Sequence, residues 1–104
     1  MGPMYDYTGC LVQATAGRDK DGVFCVVGVD QTGDRLLLAD GKRRKAARPK
    51  SKKPGHVRIL TGGEHSFDHP AIRKLKQGEP LSDIELRRAL AAFKGGNHAW
   101  QKTI

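Results

Sequence analysis

The 104-residue chain has few cysteines, few aromatic residues and no long apolar run. Its two cysteines, Cys10 and Cys25, lie too far apart in sequence for a metal-binding pair or a disulfide framework, so a reduced, cytoplasmic protein is expected. The longest apolar stretch, 23–29, has the length of a strand and is far shorter than the roughly 20 residues that span a membrane. Residues 1–7 carry neither a cluster of positive charge nor an apolar segment, so no secretory signal is expected.

Acidic residues are missing from one whole segment. Residues 42–63 contain nine basic residues and no acidic ones, whereas residues 1–41 have a net charge of −3 and residues 64–104 a net charge of +2. A block of positive charge attracts a polyanion such as nucleic acid. The alternative is a solvated segment whose charges only prevent edge-to-edge aggregation, and the two roles are compatible.

Short apolar runs between turn signals predict a mainly β fold, a small antiparallel barrel of five strands. The expected strands are 8–14, 23–29, 35–39, 42–47 and 56–60. The second is apolar on both faces, which is typical of a central strand. The expected core residues are Leu11, Val12, Phe24, Val26, Val27, Val29, Leu36, Leu38, Val57 and Ile59.

The segment between the third and fifth strands is expected to turn sharply and then extend. Asp40 and Gly41 predict a two-residue hairpin with positive φ at Gly41, because the type I′ turn needs φ > 0 at both central positions. Residues 48–55 contain two prolines, which lack the backbone donor that a core strand needs. We therefore expect an extended, exposed arm there.

The remaining sequence predicts one helix on a loop. Residues 62–81 are expected to form a loop with one helical turn at 71–76. Ser82 and Glu85 have the spacing of a capping box, which predicts a helix over 82–95 that ends at Gly95. Leu86, Ala89, Leu90 and Phe93 form its apolar stripe. The predicted organisation is thus a barrel over 8–61, the loop, the helix and a tail over 96–104.

No group of residues predicts catalysis. Each serine is explained by the arm, the loop or the helix cap, and both cysteines lie in predicted strands. His65 and His69 have a spacing that would place two metal ligands on one helix face, but the surrounding glycine and proline favour a loop. Residues 17–22 lack the Lys-Ser/Thr ending of a phosphate-binding loop. We expect a non-enzyme without metal, cofactor or small-molecule substrate.

Binding to a polyanion is the function that the cations favour. Side chains in a loop between two strands can reach outward, and the proline-rich arm would keep its charges spaced for successive phosphates. The candidate RNA-binding residues are Arg18, Lys20, Lys42, Arg43, Arg44, Lys45, Arg48, Lys50, Lys52, Lys53 and Arg58.

Two stretches resemble a known family. Residues 11–20 and 24–27 resemble a KOW motif, which is a strand, a glycine-centred basic loop and a second strand. Residues 38–57 continue it in a way that resembles small bacterial KOW-domain RNA-binding proteins, which are similar to KOW-type large-subunit ribosomal proteins of archaea and eukaryotes. Residues 72–90 resemble the C-terminal part of the bacterial group. Asp21 is a departure, since the motif commonly has glycine there, and it makes the loop less basic.

The resemblance implies an SH3-like barrel and structured RNA, most of all ribosomal RNA, as the partner. We expect a basic, RNA-binding, ribosomal protein-like factor of translation in the cytoplasm, associated with the ribosome, with ribosomal proteins as further partners and no membrane. With few aromatic residues for base stacking, specificity is expected to come from RNA shape. The alternative is a protein-interaction module of the transcription-elongation or translation machinery, similar to the KOW domains of NusG-type factors.

Overall fold

The computed structural model describes residues 7–61 and 67–95. The tail at 96–104 and residues 62–66 of the predicted loop, His65 among them, lie outside the described residues. The elements are β1 (Leu11–Ala14), β2 (Val23–Val29), β3 (Leu36–Ala39), β4 (Lys50–Lys52), β5 (Val57–Ile59), α1 (Pro70–Lys76) and α2 (Asp83–Gly95). A 3-10 helix, Pro54–His56, joins β4 to β5. In these ranges neither α-helix is long and apolar enough to cross a membrane.

The strands form one antiparallel sheet in the order β4-β3-β2-β1-β5. The expected central strand is confirmed with its predicted limits, Val23–Val29. Its register with β3 shifts between Val26 and Gly28, so Val27 forms a bulge. Because β4 and β5 are the two edges, the sheet is open, and the mainly β antiparallel prediction is confirmed without closure into a barrel.

The sheet buries apolar residues on both faces. One face and the two helices share a cluster that includes Leu11 and Cys25 from the sheet and Ile72, Leu86 and Phe93 from the helices. The other face carries a second cluster made of strand residues alone: Val12, Ala14, Phe24, Val26, Leu36 and Leu38. Alternation along β2 places neighbouring residues in different clusters, which explains why every residue from Val23 to Val26 is buried.

The C-terminal helix begins at the predicted capping box. The Glu85 N–H donates to Ser82 Oγ (3.1 Å), and the Ser82 N–H donates to Glu85 Oε1 (3.0 Å). Lys74 Nζ donates to Glu85 Oε2 (2.6 Å), which ties α1 to α2. The Lys74 ammonium, followed by the Ser82 backbone, lowers the pKa of Glu85 to about 2. The predicted apolar stripe of α2 is buried against the sheet, as expected.

The prediction of a strand at 42–47 is wrong. Asp40 Oδ1 accepts from the Lys42 and Arg44 N–H groups (2.9 Å each), so the chain forms a side-chain-capped turn in place of a two-residue hairpin. The Ala46 N–H donates to Asp83 Oδ1 (2.7 Å), so it is not available to a sheet ladder. The strand that pairs with β3 is β4, inside the segment predicted as a free arm.

The two prolines of that segment leave room for this edge strand. Pro49 precedes β4 and Pro54 begins the 3-10 helix, so neither occupies a paired position. The core prediction also needs a correction at the sheet margins. Val29 and Ile59 are 40% and 42% exposed, because Val29 ends its strand and Ile59 lies on an edge strand. Val27, at the bulge, and Val57, on β5, are half-buried.

Gly41 supplies a sharp test of the turn. Its φ is +79, as predicted, and a Cβ there would lie 2.3 Å from the Asp83 carbonyl oxygen. Gly33 has the same φ, but a Cβ would meet nothing within 4 Å. Gly33→Ala should lower the free energy of unfolding by about 1–2 kcal/mol, the cost of a left-handed backbone. Gly41→Ala adds overpacking and should cost about 2–4 kcal/mol, measured by urea unfolding. Equal losses would contradict a tight contact between this turn and α2.

Candidate nucleic-acid interface

The structure divides the eleven predicted RNA-binding residues into two groups. Nine are exposed: Arg18, Lys20, Lys42, Arg43, Lys45, Arg48, Lys50, Lys53 and Arg58. Arg44 is half-buried and Lys52 is only 7% exposed. The basic side chains of residues 42–63 are expected to be exposed. That expectation is wrong for Arg44 and Lys52, which make bonds within the fold.

Lys52 connects the edge strand to the loop between β1 and β2. It lies opposite Leu36 in the β3–β4 ladder, so its side chain emerges on the face of the second cluster. Its Nζ donates to the Ala16 carbonyl oxygen (2.8 Å). In a flat sheet β4 and β1 would be separated by three strand spacings, roughly 14 Å. The sheet is therefore strongly curled, and the Lys52 ammonium bonds across the curl.

Arg44 makes the second connection to the same loop. Its Nη2 donates to Asp19 Oδ2 (2.8 Å), and Asp19 is only 6% exposed. A buried carboxylate is costly to desolvate unless a charged donor compensates for it. Asp19 is a residue that the sequence analysis missed as a structural group. The one signal was its position as an acid between two exposed cations, Arg18 and Lys20.

The loop at 15–22 is well bonded and presents its two cations outward. The Lys20 N–H donates to the Gly17 carbonyl (3.2 Å), and the Asp21 N–H donates to the Ala14 carbonyl (2.7 Å). Asp21 has a φ of +73, a left-handed conformation that aspartate tolerates better than most side chains do. Asp21 is exposed, so an acidic side chain lies on this surface beside Lys20.

The basic turn is fixed from its other side by the start of α2. Besides the Asp83 bond to the Ala46 N–H, Arg87 Nη1 donates to the Gly41 carbonyl oxygen (3.0 Å). The turn thus lies between α2 and β3, held by hydrogen bonds of its backbone to Asp40, Asp83 and Arg87. Arg43 and Lys45 are exposed on either side of the inward-directed Arg44.

The nine exposed cations among the predicted residues fall into two locations. Those of the turn and β4, together with Arg18 and Lys20, belong to segments that Arg44 and Lys52 join directly. We name this set the basic surface: Arg18, Lys20, Lys42, Arg43, Lys45, Arg48, Lys50 and Lys53. Arg58 lies on β5, at the opposite sheet edge, and donates to Gln13 Oε1.

The residues weighed for other chemistry have structural surroundings. Burial, with a smaller contribution from Cys10, raises the pKa of Cys25 to about 12, so this thiol is not ionised at neutral pH. His69 Nδ1 accepts from the Ala71 N–H (3.1 Å) and so caps α1. Within residues 7–61 and 67–95, no three histidine, cysteine or acidic side chains come together to hold a metal ion.

A scan against protein-family models and a search of curated protein sequences both found no match.

The two adjacent lysines of the arm provide a matched test of this geometry. Lys52→Ala removes a buried alkyl stem and leaves the Ala16 carbonyl without its donor, so the free energy of unfolding should fall by about 1–3 kcal/mol. Lys53→Ala removes an exposed side chain and should change it by less than about 0.5 kcal/mol. Lys52→Met, which keeps the stem, should lie between them. If urea unfolding gives the same midpoint for the two alanine variants, Lys52 is not a structural lysine.

Proposed function

We propose that this protein is a non-catalytic RNA-binding protein that associates with the ribosome and binds structured RNA through its basic surface. The observation that carries the proposal is that hydrogen bonds connect the segments that present the cations of that surface. We call residues 42–63 the basic segment. Two of its cations, Arg44 and Lys52, bond to the loop that carries Arg18 and Lys20. Eight other cations are left exposed on these connected segments. Their positions need little further ordering to meet phosphates, which lowers the entropic cost of binding.

The proposal includes an SH3-like, KOW-type arrangement for the sheet. Three features support it: five short antiparallel strands, strong curling across the Lys52 bond, and a glycine-containing basic loop between the first two strands. The resemblance of residues 8–94 to bacterial KOW-domain proteins supports ribosomal RNA as the partner. Acidic side chains are sparse on this surface: Asp21 is exposed beside Lys20, but Asp19 is buried and Asp40 bonds backbone donors of its own turn.

A protein-interaction module of the transcription-elongation or translation machinery is the second candidate. The exposure of Val29 and Ile59, at the sheet margins, favours it. The C-terminal helix was the other expected contact surface for this function, but its apolar stripe is already buried against the sheet. The basic surface would then serve only to accelerate encounter with an acidic partner.

Salt dependence tests the RNA proposal. If about five exposed cations meet phosphates, the logarithm of the association constant should fall with the logarithm of salt concentration at a slope of about −3.5 to −4.5. The triple variant Arg43→Ala, Lys45→Ala, Lys53→Ala should weaken binding to an RNA hairpin. It should also move the slope toward zero by about 2 to 3, as measured by fluorescence anisotropy.

A matched control removes three exposed cations elsewhere. Arg35, Arg73 and Arg88 are exposed and lie outside the basic surface, so their replacement by alanine changes the net charge equally. This control should retain most of the slope of the unmodified protein. If both triple variants shift the slope alike, general charge rather than the basic surface is responsible. If the unmodified protein shows no salt-dependent RNA binding, the protein-interaction candidate is favoured.

A further inference from the structure

An apolar groove of about 810 Å³ lies next to the basic surface. Its lining includes Val27 at the bulge of β2, Leu37 from β3, and Leu81 before α2. All three side chains are half-buried, so the groove exposes apolar surface that the fold does not cover. Its volume falls in the range of roughly 300–1,000 Å³ that is typical of ligand pockets. Leu75 belongs to the first apolar cluster, and Val27, Ala46 and Leu81 pack against it, so the groove borders that cluster.

One wall of the groove belongs to the basic segment itself. Ala46, Ala47 and Pro49 line the groove, and in sequence they alternate with the exposed cations Lys45, Arg48 and Lys50. The cations of this wall are thus one residue away from the apolar lining. A phosphate backbone that follows the basic segment would therefore pass along the rim of the groove.

A further cation lines the groove from another segment of the chain. Lys76, in the last turn of α1, lines the groove and is exposed. Glu79 is the one carboxylate among the lining residues. An apolar depression that Lys76 lines, and that exposed lysine and arginine residues adjoin in sequence, is complementary to a planar group with apolar faces and with anionic groups on the chain beside it. A nucleotide within an RNA strand has that character.

We infer that this groove receives one unpaired nucleobase of the RNA whose phosphates lie on the basic surface; the inference rests on the proposed function. A base inside a double helix is stacked and paired and cannot enter such a groove. A bulged or looped nucleotide can enter at little cost because its stacking is already weakened. Contact with aliphatic and proline side chains then buries the faces of the base, although the groove has no aromatic platform.

The inference names the feature of RNA that the protein distinguishes. Phosphate contacts alone would bind many structured RNAs alike. A groove for one extruded base adds a preference for helices interrupted by an unpaired nucleotide, whatever its identity. An apolar peptide segment could also fill such a groove, but it would not use the cations beside it.

The test compares two RNA hairpins that differ only in one bulged nucleotide in the stem. Ala47 is exposed, so Ala47→Trp should fill the groove from its rim without disturbing the core. Ala92→Trp, on the exposed side of α2, is the control with the same chemical change. Neither variant alters the charge, so both should keep the salt dependence of the unmodified protein.

The unmodified protein and Ala92→Trp should bind the bulged hairpin roughly fivefold or more tightly than the fully paired one, the gain expected from burying a few tens of Å² of apolar surface. Ala47→Trp should bind both hairpins with the affinity that the unmodified protein has for the paired one. Thermal unfolding of each variant checks that the fold is retained. Ala47→Leu is a milder filling that should reduce the preference in part.

The outcomes separate the inference from the proposed function. Salt-dependent binding without any preference for the bulge, or a preference that survives Ala47→Trp in a folded protein, would overturn the inference alone. In that case a peptide becomes the better candidate for the groove. Absence of salt-dependent binding to either hairpin would overturn the proposed function and the inference together.

Discussion

Burial of β2 on both faces is the constraint on which the rest of the structure depends. A strand that is apolar on both sides needs a cover on each side. On one face, α1 and α2 provide it, with Leu86 and Phe93 packed against the sheet. On the other face strand residues provide most of it, with Tyr7 and Cys10 packed against them, which requires the sheet to curl. Curling brings the edge strand β4 close to the loop that follows β1. There the Lys52 ammonium donates to the Ala16 carbonyl oxygen.

Because the sheet curls, some cations of the basic segment stabilise the fold while others remain exposed to solvent. Arg44 and Lys52 turn inward, where the Asp19 carboxylate and the Ala16 carbonyl offset part of the cost of their desolvation, while Arg44 Nε is buried without a hydrogen-bond partner among the described residues. Their neighbours remain in solvent on a backbone that is fixed by bonds from the Lys42 and Arg44 N–H groups to Asp40 and from the Ala46 N–H to Asp83. The cations that bond within the fold, Arg44 and Lys52, are therefore distinct from the cations that are available to a ligand. This division explains how a highly cationic segment can have a defined conformation despite the mutual repulsion of its side chains.

The sequence predicts the elements whose signals are local. Val23–Val29 was predicted with its observed limits because apolar residues on both faces are bounded by turn residues. The capping box at Ser82 was predicted because both of its members lie within one helical turn. The course of the chain after Gly41 could not be predicted in the same way. The Ala46 N–H is bonded by Asp83, 37 residues away, and this long-range bond displaces the expected strand.

The candidate site was predictable as a segment but not residue by residue. Residues 42–63 contain nine basic residues and no acidic ones, which identifies this segment as cationic. It does not reveal that Lys52 faces the sheet while Lys53 faces solvent, since that depends on the register of β4 against β3. The structural role of Asp19 likewise depends on Arg44, 25 residues further along the chain. The groove is formed by five separate segments, and no local pattern indicates it.

The most direct measurement of the central claim is an NMR titration of the isotopically labelled protein with a short structured RNA at low salt. The account predicts that the largest changes in amide signals occur at residues 18–20 and 42–53. The exposed side of α2, around Arg88 and Ala92, should change little. Changes centred on α2 or on β5, or no changes with RNA in excess, would contradict the claim that the loop and the basic segment form one RNA-binding surface.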